Sequence, residues 1–356
     1  MKKERYNNIN GLRAYSAILI ILVHVMQNTS LIEKNSSLYI IISSFGWLVF
    51  LFMIISGFSM CCGYYDSVLH NKISVVDFYK KRYIKTLPFF SLIVIIDLIL
   101  SHNLNSLYEG FADMTLVYGL LPNPKISVIG VGWTLGVIFV FYLLFPFFVF
   151  LIRDKKNSLI SLFLSIIFCF ISITYFFTDK FVVYDYISRK NIIYCAPFFL
   201  IGGVIYLYRK EIMQKFKKYK NYFFVMFILL NIVFFVFNNL SSNEYFFYII
   251  IILMYSSIMI FSIINKNRLL DNKVTSSISE ISMEMYLSHM LIFRIIEKLR
   301  LNNIINNNLI LFITMFVTTL IGTIIFCFLY KKILQKWRNY FENKKNFKEI
   351  TNQKMD

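Results

Sequence analysis

The sequence predicts an all-α polytopic membrane protein with about ten transmembrane helices and with the N-terminus and C-terminus both cytoplasmic. Three observations predict it: a surplus of apolar residues, apolar stretches long enough to cross a bilayer, and a one-sided distribution of positive charge. Hydrophobic residues make up 58% of the 356 and charged ones only 16%, against about 25% charged in an ordinary soluble domain. Mean hydropathy is +0.64. A water-soluble fold has no place for that surplus, whereas a spanning helix needs roughly 20 mostly apolar residues to cross about 30 Å of hydrocarbon.

Ten such stretches fall at 13–29, 38–60, 84–102, 128–152, 158–178, 191–208, 222–239, 245–264, 278–297 and 309–330. They are too long and too continuously apolar for barrel strands, which alternate, so length settles what periodicity leaves open. The first follows a basic N-terminus in the manner of a secretory signal, but no small-residue cleavage site follows it and nine further spans do. The third starts near Pro88, which is read as shaping its entry. Between the third and fourth, Asn103 to Ser127 is the longest outward connection. Its apolar patch, Met114 to Leu121, is too short to span, so it either re-enters or lies on the outer face. The sixth ends at the basic run Arg209 to Lys220, read as a solvated cytoplasmic loop. Residues 1–335 form one ten-span domain, and 336–356 a charged cytoplasmic tail. The five cysteines lie in spans or at their ends, without ligand spacing, and are read as apolar packers.

Charge fixes the orientation. With the N-terminus inside, the inward segments carry 29 of the 37 Lys and Arg, the outward loops 7, and Arg294 lies within a span. Such asymmetry under strict alternation is the positive-inside signature of an even number of spans, and one miscounted span would invert it. The net charge of +18 is therefore topology, with added attraction to anionic membrane lipids, and no nucleic-acid partner is implied.

Ionisable side chains inside a bilayer cost roughly 2.5–3.5 kcal/mol on insertion scales, which makes each a functional candidate. They are His24, Asp97, Glu280, Glu284, His289 and Arg294, with Arg13 and Arg82 to Lys85 at the inner boundary. Arg13 and His24 are eleven residues apart, so they share a helix face about 16 Å apart along the axis. A plainer reading fits the same spacing: Arg13 anchors at the headgroups and His24 hydrogen-bonds a neighbouring helix. Within FYKKRYIKTLPFF (78–90), Arg82 and Lys85 face one way and, with Lys81, make either a cytoplasmic stop or a phosphate clamp. In ISMEMYLSHMLIF (281–293), His289 shares a face with Ser282 and reaches a depth comparable with His24. Zinc would need a further ligand set, which does not assemble, so no metal is expected.

Together these segments resemble the acyltransferase-3 family of integral membrane acyltransferases. INGLRAYSAILIILVHV, with Arg13 and His24, is similar to its first-span signature, and IISGF (54–58) to its Ser-Gly motif. Arg82-x-x-Lys85 before Pro88 is similar to its Arg-x-x-Arg element, and GWTLGVIFVFYLLFP (132–146) to its tryptophan block. ISMEMYLSH (281–289) is similar to its closing histidine motif, and the five stand in family order. Two positions depart: Lys85 replaces the second arginine, and Ile138 stands where the family commonly has a glutamate, leaving Glu284, Asp97 or nothing in its place.

The resemblance implies transfer of an acyl group, acetyl first among them, from cytoplasmic acyl-CoA to a hydroxyl of a cell-envelope or capsular polysaccharide or its lipid-linked precursor. Acetyl-CoA is then a co-substrate, with no bound cofactor, and the protein sits multi-pass in a cell membrane, in first place a bacterial plasma membrane. His24 and Arg13 are the catalytic candidates, His24 as base or as transient acyl carrier, Arg13 or a dipole as oxyanion partner. Arg82, Lys85 and Lys81 are expected on the acyl-CoA phosphates, and Ser56, Trp133, Glu284 and His289 around the acceptor. The alternative class is a transporter, flippase or polymerase for a lipid-linked glycan. A transporter would predict inverted repeats and Gly/Pro-broken helices; no repeat is visible, and the chain has only 12 glycines and 5 prolines.

Overall fold

The computed structural model describes residues 6–101, 104–120, 130–182, 186–238 and 243–352. Lys2, Lys3, Arg5, Lys125 and Lys354 of the charge count, and Asn103 at the start and Leu121 to Ser127 at the end of the outward connection, lie outside them. The described residues are helical and hold no strand. Among the described residues nine helical segments are long and apolar enough to cross a membrane, and the protein is an all-α, multi-pass membrane protein.

The helices are α1 (Asn7–Thr29), α2 (Ser37–Ser44), α3 (Leu48–Leu69), α4 (Val75–Ser101), α5 (Leu104–Met114), α6 (Trp133–Leu151), α7 (Lys155–Ile171), α8 (Ile192–Lys215), α9 (Lys220–Asn238), α10 (Glu244–Ile264), α11 (Lys273–Glu280), α12 (Ser282–Glu297) and α13 (Asn308–Asn352). All ten expected spans have a counterpart. The second is α2 and α3 joined through a 3-10 turn at Phe45–Trp47. The ninth divides at Ile281 into α11 and the 16-residue α12, about 24 Å long and so short of a full crossing.

Polar side chains set the ends. Ser36, Asp154, Asn191 and Asn243 each accept a backbone N–H as an N-cap, and Asn272 and Thr275 form a reciprocal capping box before α11. Ser74 accepts from the Asp77 N–H at 3.0 Å, which starts α4 well before residue 84, so Pro88 lies inside the helix rather than at its entry. Likewise α8 runs through Lys215, making helix of residues 209–215 where a loop was expected. Helix α13 crosses the 335/336 boundary unbroken to Asn352.

Helices α1, α6, α8 and α10 are the inner ones, while α7 and α9 lie at the periphery with few buried residues. Helices α3 and α8 touch backbone to backbone. A Cβ on Gly57 would lie 3.2 Å from the carbonyl carbon of Phe199 and closer to its oxygen, and one on Gly202 would lie 2.6 Å from the Phe58 nitrogen. Small residues permit such approach between spanning helices, which gives the glycine of IISGF a packing role. The segment after α4 folds back into the bundle: Asp113 and Leu116 are fully buried and Tyr118 nearly so, and Gly119 abuts the Gly136 backbone. Within Met114 to Leu121 the described part packs against α4 and α6, Tyr118 stacking on Phe90.

Candidate active site in the membrane

Helices α1 and α12 bring two imidazoles together. The rings of His24 and His289 have centroids 5.1 Å apart, tilted by 34°. His289 is wholly buried. Its Nδ1 lies 2.8 Å from the carbonyl oxygen of Tyr286 and 3.3 Å from that of Met285. A carbonyl only accepts, so Nδ1 carries the hydrogen and donates. The other nitrogen, Nε2, is buried without a hydrogen-bond partner among the described residues. Buried polar atoms are rarely left so, and those that are deserve a functional explanation.

Around this pair stand groups the sequence reading overlooked because they carry no charge. Tyr286, whose ring centroid is 6.1 Å from that of His289, shares a hydrogen bond of 2.7 Å with Thr134 Oγ1 on α6. Phe52 of α3 closes edge-on against Tyr286. Trp133 is half-buried next to Thr134, one residue from the polar cluster. A Thr-Tyr pair shows no signal in a scan for intramembrane charge, and only the 3.6-residue period linking Tyr286 to His289 hinted at it.

The other end of α1 gathers cations. Arg13 Nη2 donates to Ser59 Oγ at 3.1 Å. Arg82 Nη2 donates to the Tyr64 hydroxyl at 2.6 Å, and its guanidinium lies over the Tyr64 and Tyr142 rings at 4.7 and 5.8 Å. Arg82 Nε is buried with no partner among the described residues. Lys85 lies within electrostatic reach of Arg82, Arg13, Glu284 and Lys331. Lys81 is exposed on the same helix.

Eleven residues of α1 separate Arg13 from His24, about 16 Å along the axis, so one carbonyl cannot touch both. The face between them is closed, with Ala17 and Ile20 buried in the core. Ser56 stands one turn from Ser59, nearer the level of Arg13 than of His24. Glu284 lies with Lys85 and Lys331. The acceptor-side placement expected for Ser56 and Glu284 does not follow from this geometry. Ile138 packs half-buried against the core.

Two further intramembrane charges neutralise each other. Arg294 Nη1 on α12 meets Asp97 Oδ1 on α4 at 2.6 Å. A cavity of about 20 Å³ beside them, lined by Ile93, Gly130 and Met290 among others, is large enough for one water. A larger groove of about 560 Å³ opens between α1 and α11, lined by Tyr15, Ile18 and Val274; neither histidine lines it.

Residues 6–331, nearly the entire chain, match the family model described as Acyltransferase domain. No curated protein and no solved structure matches the chain.

Proposed function

The chain belongs to the acyltransferase-3 family of membrane acyltransferases, and on that premise we propose that it moves an acetyl group from acetyl-CoA to a hydroxyl of a cell-envelope polysaccharide or its lipid-linked precursor, in a bacterial plasma membrane. The observation that carries this reading is the imidazole pair: two histidines from different helices in ring contact inside an apolar bundle, one with a buried nitrogen left free.

The basic end of the bundle is the cytoplasmic one and receives the soluble donor. Coenzyme A is polyanionic, and Arg13, Arg82 and Lys85 supply the opposite charge there. The unpartnered Arg82 Nε is a donor waiting for an acceptor oxygen. Arginine forks fit phosphate, and Lys85 meets it as a point charge. Arg13 belongs to this phosphate side, since its distance from His24 removes it from the reacting carbonyl. The flexible pantetheine arm then carries the thioester along α1, parting the closed face at Ala17 and Ile20 as it loads.

At the far end His24 takes the proton from the acceptor hydroxyl as that oxygen attacks the thioester carbon. The carbon–sulfur bond breaks and the thiolate leaves with coenzyme A, gaining the proton. His289, its Nδ1 tied to backbone carbonyls, holds a fixed ring against His24 and limits its orientation. Tyr286, anchored by Thr134, turns a hydroxyl toward the same cluster and stands where an acceptor or an oxyanion can be met. No carboxylate is required at Ile138 in this arrangement, because imidazole faces imidazole.

Cells producing His24→Ala should lose acyl esters on the envelope polysaccharide while full-length protein remains in the membrane fraction. Undiminished ester content in those cells overturns the reading.

A further inference from the structure

The end of the bundle that carries Arg13 holds a cation the donor reading has not used, Lys331 on α13. Side-chain registers on two flanks fix its position. Helices α12 and α13 run antiparallel, and Ser288 Oγ lies 3.6 Å from Cys327 Sγ across them. One turn closer to the Arg13 end, those positions become Glu284 on α12 and Lys331 on α13. On the other flank the Tyr330 ring stands edge-on to Phe89 of α4, with centroids 4.8 Å apart, and one turn back from Phe89 is Lys85. Lys85, Glu284 and Lys331 therefore occupy one layer, and both lysines lie within electrostatic reach of the carboxylate. Lys331 Nζ donates to the carbonyl of Glu280, which turns it across the start of α12. Arg13 and Arg82 adjoin the layer through Lys85.

Lys85 and Lys331 thus flank one carboxylate, Glu284, which is half-buried in α12, and Arg13 and Arg82 beside Lys85 bring the cations of this end to four. Charges left unpaired in such a place are costly, and a single carboxylate does not balance four. A ligand bearing several negative charges does. We propose that Lys331 is a donor-phosphate-binding residue and that Glu284 is its internal placeholder, holding Lys85 and Lys331 until the phosphates of acyl-CoA displace it. This deepens the donor reading above and rests on it. The two residues then act on donor affinity in opposite directions, which a purely structural role for either does not produce.

The test is binding of labelled acetyl-CoA to the purified full-length protein in lipid nanodiscs, with S-acetyl-pantetheine, which lacks the nucleotide phosphates, as the control ligand. Lys331→Gln should weaken acetyl-CoA binding about tenfold, the size of one lost charge-assisted contact, and Lys331→Arg should restore it. Glu284→Gln should tighten acetyl-CoA binding about threefold, removing a competitor for the same cations. Acetyl-pantetheine binding should change in none of them. The proposal is overturned if Lys331→Gln binds acetyl-CoA as the parent does, if Glu284→Gln weakens it, or if both ligands lose affinity together. A parent protein that binds acetyl-pantetheine but gains nothing from the phosphates overturns this site alone. A parent that binds neither overturns the donor reading as well.

Discussion

Replacing Gly57 by alanine should push α3 away from α8 and loosen the basic end of the site along with it. The new Cβ would fall 3.2 Å from the Phe199 carbonyl carbon and 3.3 Å from its Cα, with the oxygen nearer still. These are backbone atoms, so no rotamer change relieves the overlap, and the two helix axes must separate by about 1 Å or accept strain, a change that in packed interiors costs about 1–3 kcal/mol. Gly202→Ala meets the mirror-image obstacle, the backbone at Ile54, Gly57 and Phe58. Because one separation accommodates both methyl groups, the double variant should cost clearly less than the sum of the two singles. Ser59, which receives the hydrogen bond from Arg13, lies on the displaced helix two residues beyond Gly57, so acetyl-CoA affinity should fall in step with stability. Thermal unfolding of parent, single and double variants in one detergent, with acetyl-CoA binding beside it, measures this. A Gly57→Ala protein as stable as the parent, or a strictly additive double variant, would refute the backbone-contact argument.

Three other outcomes follow from the polar contacts. Asp97→Ala leaves Arg294 without its carboxylate inside the membrane, a loss of about 3 kcal/mol on insertion scales; the yield of folded protein should drop, and Asp97→Ala with Arg294→Leu should recover it. Thr134→Val strands the Tyr286 hydroxyl and should cost about 1–3 kcal/mol, whereas Thr134→Val with Tyr286→Phe should be nearly neutral in stability while still impairing acyl transfer. Raising ionic strength from about 0.05 to about 0.5 M should weaken acetyl-CoA binding and leave acetyl-pantetheine unaffected, because screening acts on exposed charge pairs at the cationic end and not on a neutral arm; equal salt sensitivity of the two would argue against phosphate contacts.

The apolar stretches revealed where the helices are because hydrocarbon thickness imposes a length that hydropathy reads directly. Their ends were hidden where polar residues continue a helix. Helix α4 starts at Val75 under the Ser74 cap, and its basic turns, Lys80 to Lys85, look like a loop to a hydropathy window although they are helical. The same holds for residues 209–215 of α8. The turn at Ile281 that shortens α12 carries no glycine or proline and so had no local signal. In the site, His24 and His289 stood out because ionisable groups in a span are costly, and the structure brings them together. Charge alone did not reveal that Arg294 was already paired with Asp97, nor that Lys331 stands in the layer of Lys85 and Glu284. Those relations depend on the antiparallel register of α12 and α13, which only packing supplies.

The central claim, that an imidazole at His24 works on a thioester delivered from the cationic end, is tested most directly by free thiol release from acetyl-CoA by the purified protein in nanodiscs. The parent should liberate coenzyme A in the presence of membrane-derived acceptor, and His24→Ala should liberate none while binding acetyl-CoA with parental affinity. Turnover by His24→Ala at the parental rate would contradict the account.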